Sequence, residues 1–321
     1  MHEYVIKRIL QMIPLVFGVT LITFGIMHLA PGSPLDVMMD PMITTPEMIA
    51  AAEERLGLNQ PLIIQYFRWV QQLFQGNFGF SYLTGRSVLD LISDRLGATL
   101  VLAVTAIILS FMVAIPAGII SALRRYSWMD RLVTMMSFGG ISVPQFFLCL
   151  VLVYVISLRL ELLPTSGYGQ LGSSLTGLAL VMDRIPYLIM PALAMAIPSM
   201  AGIARYTRSS MLDVMAEDYM RTARAKGLSQ RVIIYKHALR NSLIPVITLF
   251  GLTLPMLFGG AFVVEYIFDW PGMGTLAVRS VRNREYSIIM AVNLVTAFMV
   301  LFGNLIADIM YAWVDPRIRL K

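Results

Sequence analysis

Long apolar blocks separated by shorter polar segments dominate the pattern of this 321-residue chain. An apolar helix of about 20 residues, rising about 1.5 Å per residue, crosses the hydrocarbon core of a bilayer. The apolar residues do not alternate with polar ones at period two, as they do in the strands of a membrane β-barrel. The pattern therefore predicts an all-α membrane protein with six transmembrane helices. The predicted spans are residues 9–30, 98–123, 132–157, 187–203, 243–264 and 287–314.

The first block resembles a signal peptide in its charge pattern, because Lys7 and Arg8 precede it. It is long enough to span the bilayer, however, and it lacks a small-x-small cleavage site before it ends at Pro31-Gly32. We therefore predict that this block is retained as a signal anchor.

The distribution of lysine and arginine predicts the orientation, because these residues are retained in cytoplasmic segments. With the N-terminus inside, the inner segments contain 16 of the 25 lysines and arginines on fewer residues than the outer segments. Both termini are therefore predicted to be cytoplasmic. The predicted organisation is residues 1–30 as N-terminus and first span, 31–96 as an outer helical segment, 97–314 as the transmembrane core with an inner loop at 205–242, and 315–321 as a cytoplasmic tail.

The composition agrees with lipid as the main solvent, since 57% of the residues are hydrophobic and only 14% are charged. Soluble domains contain roughly a quarter charged residues. A single cysteine, Cys149, excludes a disulfide within the chain, and three histidines far apart in sequence form no metal-ligand spacing. The net charge of +6 fits basic inner loops. We expect contact with membrane lipid, no metal and no nucleic acid.

The outer segment, residues 31–96, carries three helical signals. Thr45 is a candidate cap for a helix that ends near Gly57, and residues 61–74 carry apolar residues at helical spacing. Residues 87–96 are predicted to form a third short helix that leads into the second span. Either a surface that contacts a delivery protein or a packing elaboration of the bundle fits this segment.

The inner segment, residues 205–242, is too long for a simple turn and too patterned for disorder. Asp218 is the predicted cap of a helix over residues 219–226, and Gly227 is its predicted end. Ser229 is predicted to cap a second helix towards Asn241. One interpretation is a basic helix lying on anionic lipid, and the other is a rigid peg that fits a socket on a cytoplasmic partner.

The chain contains no Gly-x-x-x-x-Gly-Lys-Ser/Thr loop, so ATP phosphates are not held here in that manner. Asp308, inside a predicted span, is the candidate residue for a proton-coupled secondary carrier. A structural role is the alternative, because an arginine at the cytoplasmic end could reach it. An intramembrane enzyme is disfavoured, because the spans lack paired carboxylates and a metal cluster.

Specific motifs connect the chain to a known family. Residues 217–227 read EDYMRTARAKG, and HALRN follows at 237–241. This stretch resembles the EAA loop of ABC importer permeases, and it looks most like that of the dipeptide/oligopeptide/nickel subfamily. Further similar segments are PGSP at 31–34, LPTSG at 163–167, FDWPGMG at 268–274 and DPRIR at 315–319. Two positions depart from the patterns. In PGSP, Ser33 replaces the aspartate usual in the subfamily, and in the loop, Arg221 replaces the glutamate of the general EAA pattern.

The resemblance implies a type I ABC importer permease fold, with one accessory helix before a five-helix core, in the bacterial inner membrane. The implied cargo is a dipeptide or oligopeptide, with nickel chelates or glutathione as alternatives. The implied partners are a second homologous permease, two cytoplasmic ATPases that bind ATP and Mg, and an extracytoplasmic solute-binding protein. This chain would then be a non-catalytic subunit without a cofactor of its own.

The resemblance also implies two sets of site residues. Trp270, Pro271 and Gly272 are expected to contact the binding protein or to line the entrance, and a tight turn beside an interfacial helix is the other interpretation. A short inner helix is expected to couple the chain to the ATPase. Its residues are Asp218, Tyr219, Arg221, Thr222, Ala223, Arg224, Ala225, Lys226 and Gly227.

Overall fold

A computed structural model describes residues 2–29, 45, 47–48, 50, 54, 59–170 and 175–314 of the chain. Every extended regular element in these residues is a helix, and an isolated antiparallel bridge joins Phe80 to Ser87. The helices are α1 (His2–Leu29), α2 (Leu62–Phe74), α3 (Val88–Leu123), α4 (Trp128–Ser142), α5 (Gln145–Leu152), α6 (Gly177–Ala216), α7 (Asp218–Ala225), α8 (Gln230–Val232), α9 (Arg240–Ile267), α10 (Met273–Arg282) and α11 (Tyr286–Val314). A π-helical segment, Val153–Arg159, extends α5, and a second one, Ile233–Leu239, joins α8 to α9.

Four helices among the described residues are long and apolar enough to cross a membrane. Their apolar ranges are Ile6–Leu29, Val88–Leu123, Gly177–Ala216 and Tyr286–Met310. Helix α9 covers the predicted span 243–264, although several of its side chains lie outside the described residues. The all-α prediction is confirmed, while the count of six spans and their orientation stay predictions.

The third predicted span, residues 132–157, is not one continuous helix. The helix is interrupted between Ser142 and Gln145, and the helical segments on the two sides meet at a bend of 111°. Pro144 follows Val143, whose backbone is extended at φ −82° and ψ 123°. A proline ring disfavours helical geometry in the preceding residue and removes a backbone donor, so the helix ends there. The two halves together form either a broken span or a re-entrant loop.

The helices of the outer segment agree only partly with the sequence predictions. Helix α2, Leu62–Phe74, confirms the helix predicted over 61–74. The separate short helix predicted over 87–96 is wrong, because α3 runs without a break from Val88 to Leu123. Gly97, the nearest breaker signal, keeps helical geometry within α3. The helix predicted over 45–57 lies largely outside the described residues.

Helices α3 and α6 form the centre of the bundle. The main apolar core includes Leu102 and Ala106 from α3, and Met190 and Ala196 from α6. At the level of Gly118 the backbones approach closely, since a Cβ on this glycine would lie 2.7 Å from the Ala204 carbonyl oxygen. Small residues allow such an approach, which increases dispersion contacts where lipid offers no hydrophobic driving force.

The face of α3 that points away from α6 carries exposed apolar side chains. Val104, Ile108 and Met112 follow each other at four-residue spacing and are 49%, 54% and 68% exposed. An exposed apolar stripe of this kind suits contact with lipid or with another apolar subunit.

Helix α1 packs on the outside of the bundle against α11. The Arg8 guanidinium forms an ion pair with Asp308, with 3.0 Å between Nε and Oδ2. At the other end of α1, the hydroxyls of Thr20 and Tyr66 lie 2.8 Å apart, which connects α1 to α2. Asp308 therefore helps to attach the first helix, as the structural interpretation of this residue expected.

The close approach at Gly118 generates a stability prediction. Gly118→Leu should force α3 and α6 apart, because the added atoms would overlap Thr207 and the Ala204 backbone. Overpacking of this kind costs about 1–3 kcal/mol. The thermal denaturation midpoint of the detergent-purified chain should fall clearly.

The matched control is Gly97→Leu on the same helix, since a Cβ there meets nothing within 4 Å. Equal denaturation midpoints for the two variants would contradict the role assigned to the Gly118 contact.

Candidate functional site

The inner element predicted from the motif forms a short helix, α7, directly after α6. Glu217 connects the two helices in an extended conformation, with φ −65° and ψ 148°. Gly227 has a left-handed backbone at φ +73°, and its N–H donates to the Arg224 carbonyl over 3.0 Å. The predicted helix end at Gly227 is therefore confirmed, since glycine adopts this conformation without a steric penalty.

The predicted cap of this helix is wrong. Glu217 occupies the cap position and makes no side-chain hydrogen bond to the helix backbone. Asp218 is instead the first helical residue and forms an exposed ion pair with Arg221, at 3.2 Å. A carboxylate in the first turn still interacts favourably with the helix dipole, so a cap and a first-turn residue have similar sequence signals.

One face of α7 packs against the bundle. Met220 and Ala223 are buried, and they join an apolar cluster with Met211 of α6, Ile233 of the π-helical segment and Ala122 of α3. Ala223 was predicted to contact the ATPase, but its burial directs it inward in this structure. A methyl group at this position allows α7 to lie close to α6, which positions the opposite face.

The other face of α7 is exposed. Tyr219 is held at the edge of this face, because its hydroxyl accepts a hydrogen bond from Asn241 Nδ2 over 3.1 Å. Asn241 lies in the first turn of α9, so the contact joins α7 to the helix that contains the next predicted span. We define the docking face by its exposed residues. They are Asp218, Tyr219, Arg221, Thr222, Arg224, Ala225, Lys226 and Gly227.

An ion pair between a buried carboxylate and a half-buried arginine joins helices at the same end of the bundle. Asp130 of α4 accepts two hydrogen bonds from Arg208 of α6, at 2.7 Å from Nε and 3.0 Å from Nη2. The Ser121 hydroxyl of α3 and the Tyr126 backbone N–H also donate to this carboxylate. We call this cluster of Asp130, Arg208 and Ser121 the inner clasp. It joins α3, α4 and α6 just before the chain enters α7.

Sequence reasoning missed the inner clasp, because its members lie in three separate helices. The only local signal was the position of Asp130 in the first turn after Ser127, whose hydroxyl accepts from the Asp130 N–H. That position alone indicates a helix start and gives no information about an arginine 78 residues later.

The outer turn after α9 is held firmly within the bundle. Trp270 is 1% exposed, and its Nε1–H donates to the Ala98 carbonyl of α3 over 2.9 Å. The Tyr168 ring packs edge-on against it, with 4.7 Å between ring centroids. Direct contact of Trp270 with a binding protein, as predicted, is incompatible with this burial. The alternative of a tight structural turn describes Trp270 correctly.

A buried carboxylate, missed by the sequence analysis, organises this turn. Glu265 is fully buried, and it accepts hydrogen bonds from the Thr99 hydroxyl at 2.7 Å and from the Gly274 N–H at 2.6 Å. A Cβ on Gly272 would overlap the Glu265 carboxyl group. Gly272 is therefore buried for close packing and is not exposed to a partner. Glutamate at this depth is satisfied by donors from both α3 and the turn.

A cavity of about 630 Å³ lies beside the outer turn. Its lining comes from the loop at 166–170, from the first turns of α6, from Arg95 of α3 and from the turn and start of α10. Pro271 is among the lining residues, while its predicted position at an entrance stays a prediction. We call this space the outer cavity.

Two family models match the chain. Residues 114–320 match the binding-protein-dependent transport system inner membrane component, and residues 1–103 match the N-terminal part of such a membrane component. Together the two matches cover the docking face, the inner clasp and the outer turn. The sequence-based resemblance is thus confirmed at the level of the family.

Three curated relatives match over nearly their whole length. The oligopeptide transport system permease protein AppB of Bacillus subtilis is 46% identical over 99% of both chains. The glutathione transport system permease protein GsiC of Escherichia coli K12 is 40% identical over 100% of both chains. The dipeptide transport system permease protein DppB of Alkalihalophilus pseudofirmus is 39% identical, covering 99% of this chain and 100% of the relative.

Two solved structures share the fold. The inward-facing MetNI methionine ABC transporter matches with a TM-score of 0.55 at 16% identity, over 71% of this chain and 97% of the matched chain. An amino acid ABC transporter crystallised with histidines matches with a TM-score of 0.52 at 15% identity, over 70% and 94%. The helical architecture is therefore that of ABC transporter membrane subunits, which confirms the predicted fold class.

The inner clasp leads to a second stability prediction. Asp130→Ala should leave the half-buried Arg208 guanidinium and the Ser121 hydroxyl without their acceptor, and the loss of hydrogen bonds to a charged group costs about 1.5–3 kcal/mol. Denaturation of the detergent-purified variant should therefore begin at a much lower temperature.

Asp94→Ala is the matched control, because Asp94 forms an ion pair with Arg86 in which both side chains are about half exposed. Such surface pairs contribute about 0–1 kcal/mol. If the two variants lost similar stability, the inner clasp would be no more important than a surface pair.

Proposed function

The chain belongs to the family of binding-protein-dependent transport system inner membrane components, and from this we propose that it forms half of the translocation pathway of an ATP-driven importer of small peptides. It is a multi-pass protein of the inner membrane. The names of the oligopeptide, dipeptide and glutathione permeases support a peptide cargo, because each relative aligns with this chain from end to end. Glutathione is itself a short peptide, so it falls within the proposed cargo class.

The proposed complex contains four other chains of three kinds. A second homologous permease completes the pathway, two cytoplasmic ATPases bind ATP and Mg, and an extracytoplasmic solute-binding protein delivers the cargo. Dependence on a binding protein follows from the family. The absence of a phosphate loop from the sequence supports the assignment of ATP hydrolysis to separate subunits.

The coupling proposal rests on how the docking face is held and exposed. It belongs to a short helix that is anchored on one side by Met220 and Ala223 and exposed on the other. A helix anchored in this way moves together with α6, because only Glu217 lies between α6 and α7. We infer that the docking face inserts into a cleft on the ATPase and follows its nucleotide-driven movement.

The inner clasp provides a route for that movement into the predicted spans. Arg208 lies in α6, two turns before its end, and it is bound to Asp130 of α4 and through it to Ser121 of α3. A displacement of α7 is therefore delivered to three helices together. Alternating access then takes the form of rigid-body rocking of this subunit against its partner.

The basic-helix-on-lipid interpretation explains fewer features of the inner element. A lipid-bound helix requires a large apolar face that enters the headgroup region. Met220 and Ala223 of α7 are already buried against the protein, which leaves only Ala225 and the Tyr219 ring as exposed apolar groups. The exposed face carries Arg221, Thr222 and Ala225, which suits a polar protein socket better than the membrane interior.

A bulky residue on the docking face tests the coupling directly. Ala225→Trp should prevent a close fit with the ATPase while leaving the buried face of α7 unchanged. We expect ATP-dependent peptide uptake in proteoliposomes to fall by about tenfold or more, as for a disrupted interface centre. The amount of ATPase that copurifies with the tagged chain should fall, or its stimulation by the binding protein should disappear.

Arg125→Trp is the matched control, because Arg125 is exposed on the neighbouring inner loop outside the docking face. It should leave uptake and ATPase assembly near the wild-type values. Normal uptake and normal assembly of Ala225→Trp would refute the proposed docking.

The source of energy separates this proposal from a proton-coupled carrier. Because Asp308 is engaged by Arg8, it is not a free intramembrane proton acceptor in this structure. Peptide uptake into cells should continue after collapse of the membrane potential and stop when cytoplasmic ATP is depleted. Uptake that follows the potential and ignores ATP would show that the carrier class is correct.

A further inference from the structure

The outer cavity has an uneven charge distribution that the transport proposal does not use. Three arginines line it, namely Arg95, Arg184 and Arg279, together with the carboxylates of Asp183 and Asp269. Asp269 is engaged by Arg279, with 2.9 Å between the charged atoms. Asp183 accepts the Gln170 backbone N–H over 3.0 Å, which ties it to the loop. Both carboxylates keep their charge, so the three arginines and two aspartates leave the lining with a net charge of +1.

The other two arginines keep their donors available. Arg184 lies over the Tyr168 ring, 4.0 Å from its centroid, and donates one hydrogen bond to the Tyr168 hydroxyl. Arg95 is half-buried at the wall of the cavity. Among the residues that the structure describes, neither Arg95 nor Arg184 has a carboxylate partner. A guanidinium presents planar, paired donors that match a carboxylate with two parallel hydrogen bonds.

Arg184 is also held in a fixed orientation. Tyr168, on which it lies, packs against the buried Trp270, and the Gly167 N–H donates to the Phe268 carbonyl over 2.9 Å. The loop at 166–170 and the outer turn thus fix the position of the Tyr168 ring on which Arg184 lies. A cationic group that is positioned before its ligand arrives loses less entropy on binding.

The size of the outer cavity indicates the kind of ligand. Small-molecule sites in proteins occupy about 300–1,000 Å³ and combine apolar or aromatic walls with a few polar groups. The outer cavity, at about 630 Å³, lies within this range, and Leu180 and Tyr187 supply its apolar wall. A stable contact between two proteins instead buries about 1,200–2,000 Å² of surface.

We propose that the outer cavity is a binding site for the C-terminal carboxylate of a short peptide, with Arg95 and Arg184 as its donors. The site lies at the predicted outer end of the bundle, so it would hold the peptide between its release from the binding protein and its passage along the pathway. This inference rests on the peptide cargo proposed above and adds the group of the cargo that the chain recognises.

Arginine-to-glutamine variants test the site in the assembled transporter. The complex is purified through a tag on this chain, reconstituted in proteoliposomes, and supplied with binding protein loaded with a radiolabelled dipeptide. Arg95→Gln and Arg184→Gln should each reduce uptake by about tenfold, the effect of losing one charge-assisted interaction. The affinity of the empty binding protein for the complex should stay unchanged.

The matched control is Arg159→Gln. Arg159 is an exposed arginine outside the cavity lining, and its side chain contacts Tyr154. This variant should transport at the wild-type rate. Should Arg184→Gln fail to assemble with its partners, Arg184→Lys retains the charge without the paired donors and should give an intermediate rate, and Arg95→Gln supplies the independent result.

A photo-crosslinking amino acid at Leu180 identifies what enters the cavity. We expect it to label the radioactive dipeptide, with less label on a C-terminally amidated peptide present at the same concentration. Label on the binding protein alone, or docking weakened equally for empty and loaded binding protein, would assign the cavity to an acidic protein loop and overturn the proposal. Unchanged uptake by both glutamine variants would also overturn it.

The wild-type complex separates this inference from the proposed function. If wild-type proteoliposomes take up no dipeptide in the presence of ATP, the peptide cargo and the carboxylate site are both wrong. If the wild type transports and the variants behave as the control does, only the carboxylate site is wrong.

Discussion

The close packing of α3 against α6 is the contact on which the remainder of the molecule depends. Gly118 brings the two backbones together, and Ala204 and Thr207 fill the space on the opposite helix. In lipid, helix association depends on such packing and on satisfied polar contacts, since the surrounding solvent is as apolar as the side chains. Towards the inner end, the Asp130–Arg208 ion pair joins α4 to α6, and the Ser121 hydroxyl joins α3 to the same carboxylate, which opposes independent sliding of the three helices.

Both functional ends of the subunit are built on this pair of helices. At the inner end, α6 continues through Glu217 into α7, and the apolar anchor of Met220 returns to Met211. At the outer end, α3 receives the Trp270 indole on its Ala98 carbonyl. The proposed motor contact and the proposed peptide site are therefore connected by one rigid unit. A rocking movement of that unit would change both ends together, as alternating access requires.

Buried polar groups in this fold are satisfied across helices. Glu265 accepts hydrogen bonds from Thr99 of α3 and from the Gly274 N–H in the first turn of α10, so it joins α9 to both elements. Asp130 likewise accepts from three different segments. Because an unsatisfied polar group in an apolar interior is costly, each cluster fixes the relative positions of the segments that contribute to it. These clusters give a lipid-solvated bundle one defined arrangement.

The sequence by itself determined the solvent, the helical class and the family, because these depend on local composition, on apolar block length and on contiguous motifs such as 217–227. It also located the end of α7 at Gly227, where one residue's backbone freedom decides the geometry. Only the tertiary structure decided that Ala223 faces inward, that Trp270 is buried and that Arg95 and Arg184 share a cavity. These properties depend on which segments meet in space, and no local pattern in the chain encodes that meeting. The break at Pro144 has a local cause, but the 111° angle between the two helices is visible only in the structure.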